Sequence, residues 1–392
     1  MSISEKIKNN KYLISALAFT ILNMVAIFWF FGFQSYDDSN GYIDIIHLFQ
    51  GKEVAMNPGL SWELMAPLGS FIALPFEFLG DGAGIIVENA LFYFFSAYLI
   101  FKIIQLIFHN EKQAFWGSIL FAGSLPMLKF GLSYMTDMGA WFFYILSIFL
   151  TLLYLKNRNE KLIIINGLLS GIGTLMKTDG GLGIMFFLMM ILLSKEFNLK
   201  KKFFKALKFG IPFLLPVAIF QIYLFSSFGF TTFSQYSSYN QWFFSQQGLE
   251  ELRAYPGSVY SDLNRFTIII YIYAGEFLKA FGILGLFFSL IGLWREWLQK
   301  SKERIKIYLA LLPASLSFLI FPPTDSRLAF ISTPLLILWA TQGLIYLKGL
   351  FSENKGKIVI PILMTGYVVF NYYFSIVGSY RLIILKLISF IK

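Results

Sequence analysis

Apolar runs long enough to cross a membrane recur along the whole chain, separated by short polar joints. A helix needs about 20 apolar residues to span the hydrocarbon core. On that measure the runs near 12–33, 84–108, 114–131, 136–155, 162–176, 181–194, 209–228, 267–293, 307–321, 328–347 and 358–377 predict about 11 transmembrane helices, with a range of 10–12. The pattern changes between the first two runs. In SNGYIDIIHLF, Tyr42, Ile45, Ile46 and Phe49 fall at i, i+3, i+4 and i+7, with Asp44 and His47 off that stripe. This predicts a short amphipathic helix lying at headgroup level, with Asp38 or Ser39 at its N-terminus. Residues 62–80, WELMAPLGSFIALPFEFLG, are apolar but carry Pro67, Pro75, Glu63 and Glu77, which suits a re-entrant or interfacial segment better than a clean span.

The fold class expected is therefore an all-α polytopic membrane protein, one transmembrane domain over 1–392 with no soluble domain. Its first outer loop is 34–83, holding the interfacial helices, and an aromatic outer loop follows at 229–266. A composition of 57% hydrophobic and 14% charged residues fits that class and no soluble one. The net charge of +10 raises nucleic acid as a partner, but its distribution argues against one. With the N-terminus inside, the inner segments hold 22 of the 32 basic residues and only seven of the 22 acidic ones. Such asymmetry is the positive-inside signal of a multi-pass protein of the cell membrane with a cytoplasmic N-terminus. The chain has no cysteine and only two histidines, His47 and His109, which removes thiolate chemistry and disfavours a multi-histidine metal site.

This topology gathers a polar set on the outer face from helix ends far apart in sequence. It comprises Asp37, Asp38 and His47 in the first loop, Asp137 in SYMTDMG, and Lys177 and Asp179 in MKTDGG. Arg253 and Arg265 come from the aromatic loop, and Asp325 and Arg327 from FPPTDSR. Each has an ordinary structural account: a solvated helix end for the acidic pair, an N-cap for Asp137, snorkelling for Lys177, interfacial pairing for Arg327. Their convergence carries the functional reading. A carboxylate at a helix N-terminus stays ionised and can take a proton from an acceptor hydroxyl, a role open to Asp38 or Asp37. Fixed positive charge can hold a lipid phosphate and stabilise it as it departs, a role open to Lys177, Arg327, Arg253 or Arg265.

The acidic pair after the first span, the Tyr42 that follows Asp38 by four residues, and the later motifs resemble the GT-C membrane glycosyltransferase superfamily. The likeness is strongest to its protein O-mannosyltransferase and aminoarabinose-transferase group. By the spacing to Tyr42, the resemblance implies Asp38 as catalytic base with Asp37 beside it. TDM at 136–138 is similar to the family's second-loop acid, with Asp137 in a supporting role alongside Tyr42 and His47. GLLSGIGTLMKTDGG resembles a Gly-rich helix ending in the lysine nearest the donor phosphate, here Lys177, and SRLAFISTPLLILWA a late arginine motif, here Arg327 and Pro334. Related oligosaccharyltransferases carry an acidic pair where this chain has Met135 and Asp137. A divalent cation, Mg²⁺ or Mn²⁺, held by Asp37, Asp38 and Asp137 thus stays open, and no other cofactor is implied.

The implied activity is transfer of a sugar, a hexose or a pentose, from a polyprenyl-phosphate donor to a hydroxyl of a lipid, glycan or protein acceptor, at the outer face and with inversion. The partners are that donor, that acceptor and membrane lipids, not nucleic acid. A glycan polymerase or ligase acting on lipid-linked oligosaccharide would lean on outer-loop arginines and histidines instead. A transporter or lipid flippase would place polar residues near the midplane, where Glu88 and Glu276 are its best support.

Overall fold

A chain inside lipid has no water to satisfy its backbone and closes its hydrogen bonds within helices. The computed structural model describes residues 10–36, 38–54, 64–232, 265–317 and 330–377, with the isolated positions 237, 241, 245 and 250. Among the described residues the regular structure is helical, and the one exception is an isolated parallel bridge between Gln34 and Ser133. Helix α1 (Lys11–Phe31) is followed by α2 (Ser39–Phe49), α3 (Leu68–Ala73) with a 3₁₀ turn at Leu74–Leu79, and α4 (Ala83–Phe108). Next come α5 (Glu111–Ala122), α6 (Leu125–Phe130), α7 (Asp137–Asn157) and α8 (Lys161–Met176). A 3₁₀ turn at Thr178–Leu182 leads into α9 (Gly183–Leu193) and α10 (Leu199–Phe228). The last described helices are α11 (Arg265–Gln299), α12 (Lys302–Ser315), α13 (Thr333–Gly349) and α14 (Glu353–Val377).

Seven of these helices are long and apolar enough to cross a membrane: α1, α4, α7, α10, the Phe281–Gln299 part of α11, Phe330–Gly349 and Glu353–Ser375. Among the described residues the other expected runs form shorter helices. The run near 114–131 divides into α5 and α6 around Gly123 and Ser124, because Pro126 has no N–H to continue a helix and sits instead in the first turn of a new one. That break frees backbone carbonyls in the interior, and side chains from three other helices meet them. Asn23 and Tyr93 donate to the Ala122 carbonyl at 2.9 and 2.6 Å, and Asn371 to the Gly123 carbonyl at 2.8 Å. Tyr367 donates to the Leu120 carbonyl at 3.0 Å. In hydrocarbon such bonds replace unsatisfied groups that would cost several kcal/mol each. They fasten α1, α4 and α14 to one point.

Close helix approach is built on glycine. A Cβ at Gly167 or Gly171 of α8 would lie 2.2 Å from the Phe209 or Phe213 carbonyl oxygen of α10. This is the small-residue contact that lets membrane helices pack backbone to backbone. At the basic ends of the helices, Glu160 takes Lys205 at 2.6 Å and Lys208 at 3.1 Å, clasping the start of α8 to α10. Partial burial works against the Glu160 charge, but the hydrogen bonds and charges of these two lysines outweigh it and hold the carboxyl below its ordinary range.

Candidate active site

Three stretches distant in sequence meet at the ends of the helices away from that clasp. The loop after α1 is zipped to the loop before α7: the Tyr134 N–H donates to the Gln34 carbonyl at 3.0 Å, beside the Gln34–Ser133 bridge. Asn89 of α4 holds the same loop from behind, its amide donating to the carbonyls of Ser133 at 2.7 Å and Met135 at 2.6 Å. Asp38 stands at the N-terminus of α2, half-buried, and its carboxylate makes no capping hydrogen bond. The neighbouring Ser39 is buried instead, accepting from the Tyr36 N–H at 2.8 Å and donating to the Met135 sulfur at 3.6 Å. Tyr42 packs with Ile46, Ala73, Ile85 and Met135, and its carbonyl accepts from Ser70 at 2.9 Å. The amphipathic helix is thus seated on α3 and α4, with Tyr42, Ile45 and Ile46 buried and Phe49 exposed.

The third stretch carries Lys177. Helix α8 stops where Lys177 turns extended, with φ −173° and ψ 152°. The TDGG turn then folds back so closely that a Cβ on Gly180 would lie 2.2 Å from the Gly173 carbonyl oxygen. Thr136 donates to the Met176 carbonyl at 3.3 Å, fixing this stretch to the start of α7. The Lys177 ammonium lies 2.6 Å from the Asp137 carboxylate, with Asp137 1% exposed and Lys177 19%. Lys177 is thus one half of an ion pair whose carboxylate is buried and whose ammonium is partly exposed. An ammonium offers three N–H groups, and the pair with Asp137 fixes where they point.

Asp37, Arg253, Asp325 and Arg327 lie outside the described residues, and so does the side chain of Arg265, which opens α11. His47 takes Asp81 at 2.7 Å, bracing α2 against the turn before α4. The sequence pattern gave no part in assembling the site to Gln34 or Asn89, and marked Ser39 only as a possible helix cap and Glu77 only as a sign of an interfacial segment. Glu77 caps α4, accepting from the N–H groups of Gly82 at 2.8 Å and Gly84 at 2.9 Å. The available signal was a polar side chain inside an apolar run, as at Asn89.

A divalent ion finds a poor donor set at 135–137. Met135 offers a buried thioether already bonded to Ser39, and the Asp137 carboxylate already holds an ammonium. Hard divalent cations call for several oxygen ligands, and among the described residues no group of three or more Asp, Glu or His side chains could hold a metal.

Residues 66–220 match the family described as dolichyl-phosphate-mannose-protein mannosyltransferase. The fold is similar to that of the oligosaccharyltransferase of Archaeoglobus fulgidus, crystallised in complex with zinc and sulfate. The TM-score is 0.50 at 16% identity, over 93% of this chain and 51% of that one. This chain therefore spans about half the length of that relative, and likeness at such identity is one of fold. No curated protein matches at a significant level. Both matches agree with the resemblance to GT-C membrane glycosyltransferases that the motifs carry.

Proposed function

We propose that this chain is a membrane glycosyltransferase that moves a sugar from a polyprenyl-phosphate donor to an acceptor hydroxyl, at the outer face of the cell membrane and with inversion. The observation that carries the reading is the meeting of the Asp38 loop, the Asp137 loop and the Lys177 turn at one end of the bundle. Lys177, oriented by Asp137, binds the donor phosphate; Asp38, at the mouth of α2, accepts the proton from the acceptor hydroxyl. The acceptor oxygen forms its bond to the anomeric carbon as the bond from that carbon to the phosphate oxygen breaks, and the polyprenyl phosphate departs with the electron pair. Attack opposite the leaving phosphate inverts the anomeric centre. A divalent ion, where bound, would add charge stabilisation at the phosphate, but the 135–137 donors do not suit it and no step is assigned to it. The test is transfer by the purified chain from a panel of polyprenyl-phosphate sugars to hydroxyl acceptors. Consumption of at least one donor with release of polyprenyl phosphate supports the reading; a folded protein that consumes none refutes it.

A further inference from the structure

At the opposite end of the bundle lies a feature that glycosyl transfer does not use. A cavity of about 450 Å³ opens where α4 and α7 end and α5 begins, lined by Gln105, Leu106, His109, Glu111 and Lys156. Its shape is set by backbone. His109 sits in the left-handed region at φ 52° and turns the chain, and Asn110 caps α5 by accepting from the N–H groups of Lys112 and Gln113 at 3.0 and 3.1 Å. One wall is a fixed relay: Lys102 donates to the Gln105 side-chain oxygen at 3.2 Å, and Gln105 donates to the Glu111 carboxylate at 3.0 Å. Lys156 and His109, both exposed, complete the rim. The cavity therefore presents basic nitrogens and a positioned carboxylate to one occupant.

The face of α4 that leads to the cavity is apolar except for Lys102, with Tyr98 and Leu106 partly packed against the core. Leu91, Phe95, Tyr98 and Lys102 follow one another at four, three and four residues, so they share one face of α4 and lead to Leu106 and His109. Leu91 and Phe95 are 47% and 48% exposed, open to lipid. From Leu91 to Leu106 that face runs for roughly 22 Å at the rise of an α-helix, longer than one leaflet of a hydrocarbon core about 30 Å thick. A soluble ligand would leave this stripe unused.

We infer that the cavity binds the headgroup of a phospholipid bearing a primary amine, with its acyl chains along the α4 stripe. The phosphate would lie against Lys156 and the rim, and the ammonium would donate to Glu111. A purely anionic headgroup would set a like charge against Glu111, and a quaternary amine has no N–H to give it.

The test is lipid retention by the purified full chain, read by native mass spectrometry, with phosphatidylethanolamine, phosphatidylcholine and phosphatidylglycerol of the same acyl chains. Phosphatidylethanolamine should be held about tenfold tighter than phosphatidylcholine, the order of one charge-assisted hydrogen bond. Glu111→Gln should reduce that preference to about twofold or less, since the amide oxygen still accepts from Gln105 but carries no charge. Lys156→Ala should weaken both zwitterionic lipids alike. Equal retention of all three lipids, tighter binding of phosphatidylglycerol, or an unchanged preference in Glu111→Gln would overturn the inference. Soluble glycerophosphoethanolamine should not displace the lipid; displacement at similar concentration would overturn the part assigned to the stripe.

Discussion

Removing Lys177 should destabilise the protein more than removing Asp137, and removing both should restore most of the loss. The asymmetry follows from burial. Lys177→Met leaves the Asp137 carboxylate 1% exposed with its ammonium gone, and breaking a buried pair from one side costs about 3–5 kcal/mol. Asp137→Asn leaves Lys177, which is 19% exposed, beside an amide that still accepts a hydrogen bond; the expected cost is about 1–3 kcal/mol. In Lys177→Met/Asp137→Leu neither charge remains, and apolar replacement of a buried pair is often neutral or stabilising by about 1–4 kcal/mol. Denaturant unfolding in one detergent, with all four proteins measured together, gives the coupling directly. The double variant should also lose affinity for polyprenyl phosphate while staying folded, which separates the stabilising role of the pair from the binding role proposed for it. A Lys177→Met protein within about 1 kcal/mol of the parent would refute the buried pair.

Three further outcomes follow from other parts of the structure. Glu88 is 1% exposed within α4, and neither carboxylate oxygen has a hydrogen-bond partner among the described residues. Glu88→Leu should therefore raise stability by about 1–3 kcal/mol, and a fall in melting temperature would contradict this. Gly171→Leu should destabilise by about 1–3 kcal/mol or more, because any Cβ there meets the Phe213 carbonyl; unchanged thermal stability would show that α8 and α10 do not pack this closely. The Glu160 clasp should depend on pH. Its folded-state pKa is lowered, so the stability it adds is present above the unfolded glutamate value and lost as pH falls through the folded one. The gap in melting temperature between the parent and Glu160→Gln should be open at neutral pH, begin to narrow near the unfolded glutamate value of about 4.3, and close only in stronger acid, below the lowered folded value. A gap that persists in acid would show that the ionised carboxylate is not its source.

Much of the fold could be read from hydropathy because spanning helices need long uninterrupted apolar runs, and α1, α4, α7 and α10 have them. Two runs are broken where local backbone chemistry intervenes. Pro126 divides 114–131, and Gly282, at φ 70°, interrupts α11. At the site, the acid after α1, the acid before α7 and the lysine after α8 were each visible as a charge at the end of an apolar run. Their pairing was not. Nothing in the one-dimensional pattern says that Lys177 faces Asp137, because that contact depends on Gly173 and Gly180 folding the turn back and on Thr136 binding the Met176 carbonyl. Ser39 offered a similar trap: it reads as a helix cap, yet its hydroxyl is spent on Tyr36 and Met135.

In the proposed reaction the labour at the site is divided between Lys177 and Asp38, and one comparison tests that division most directly. Polyprenyl-phosphate sugar binding and single-turnover transfer are measured on the parent and on Asp38→Asn, which keeps the shape of the side chain and removes its basicity. The predicted result is unchanged donor affinity with transfer slowed roughly 10²–10⁴-fold, the usual consequence of losing a general base. Transfer at the parental rate by Asp38→Asn would contradict the account, and so would a loss of donor binding that fully explains the fall in rate.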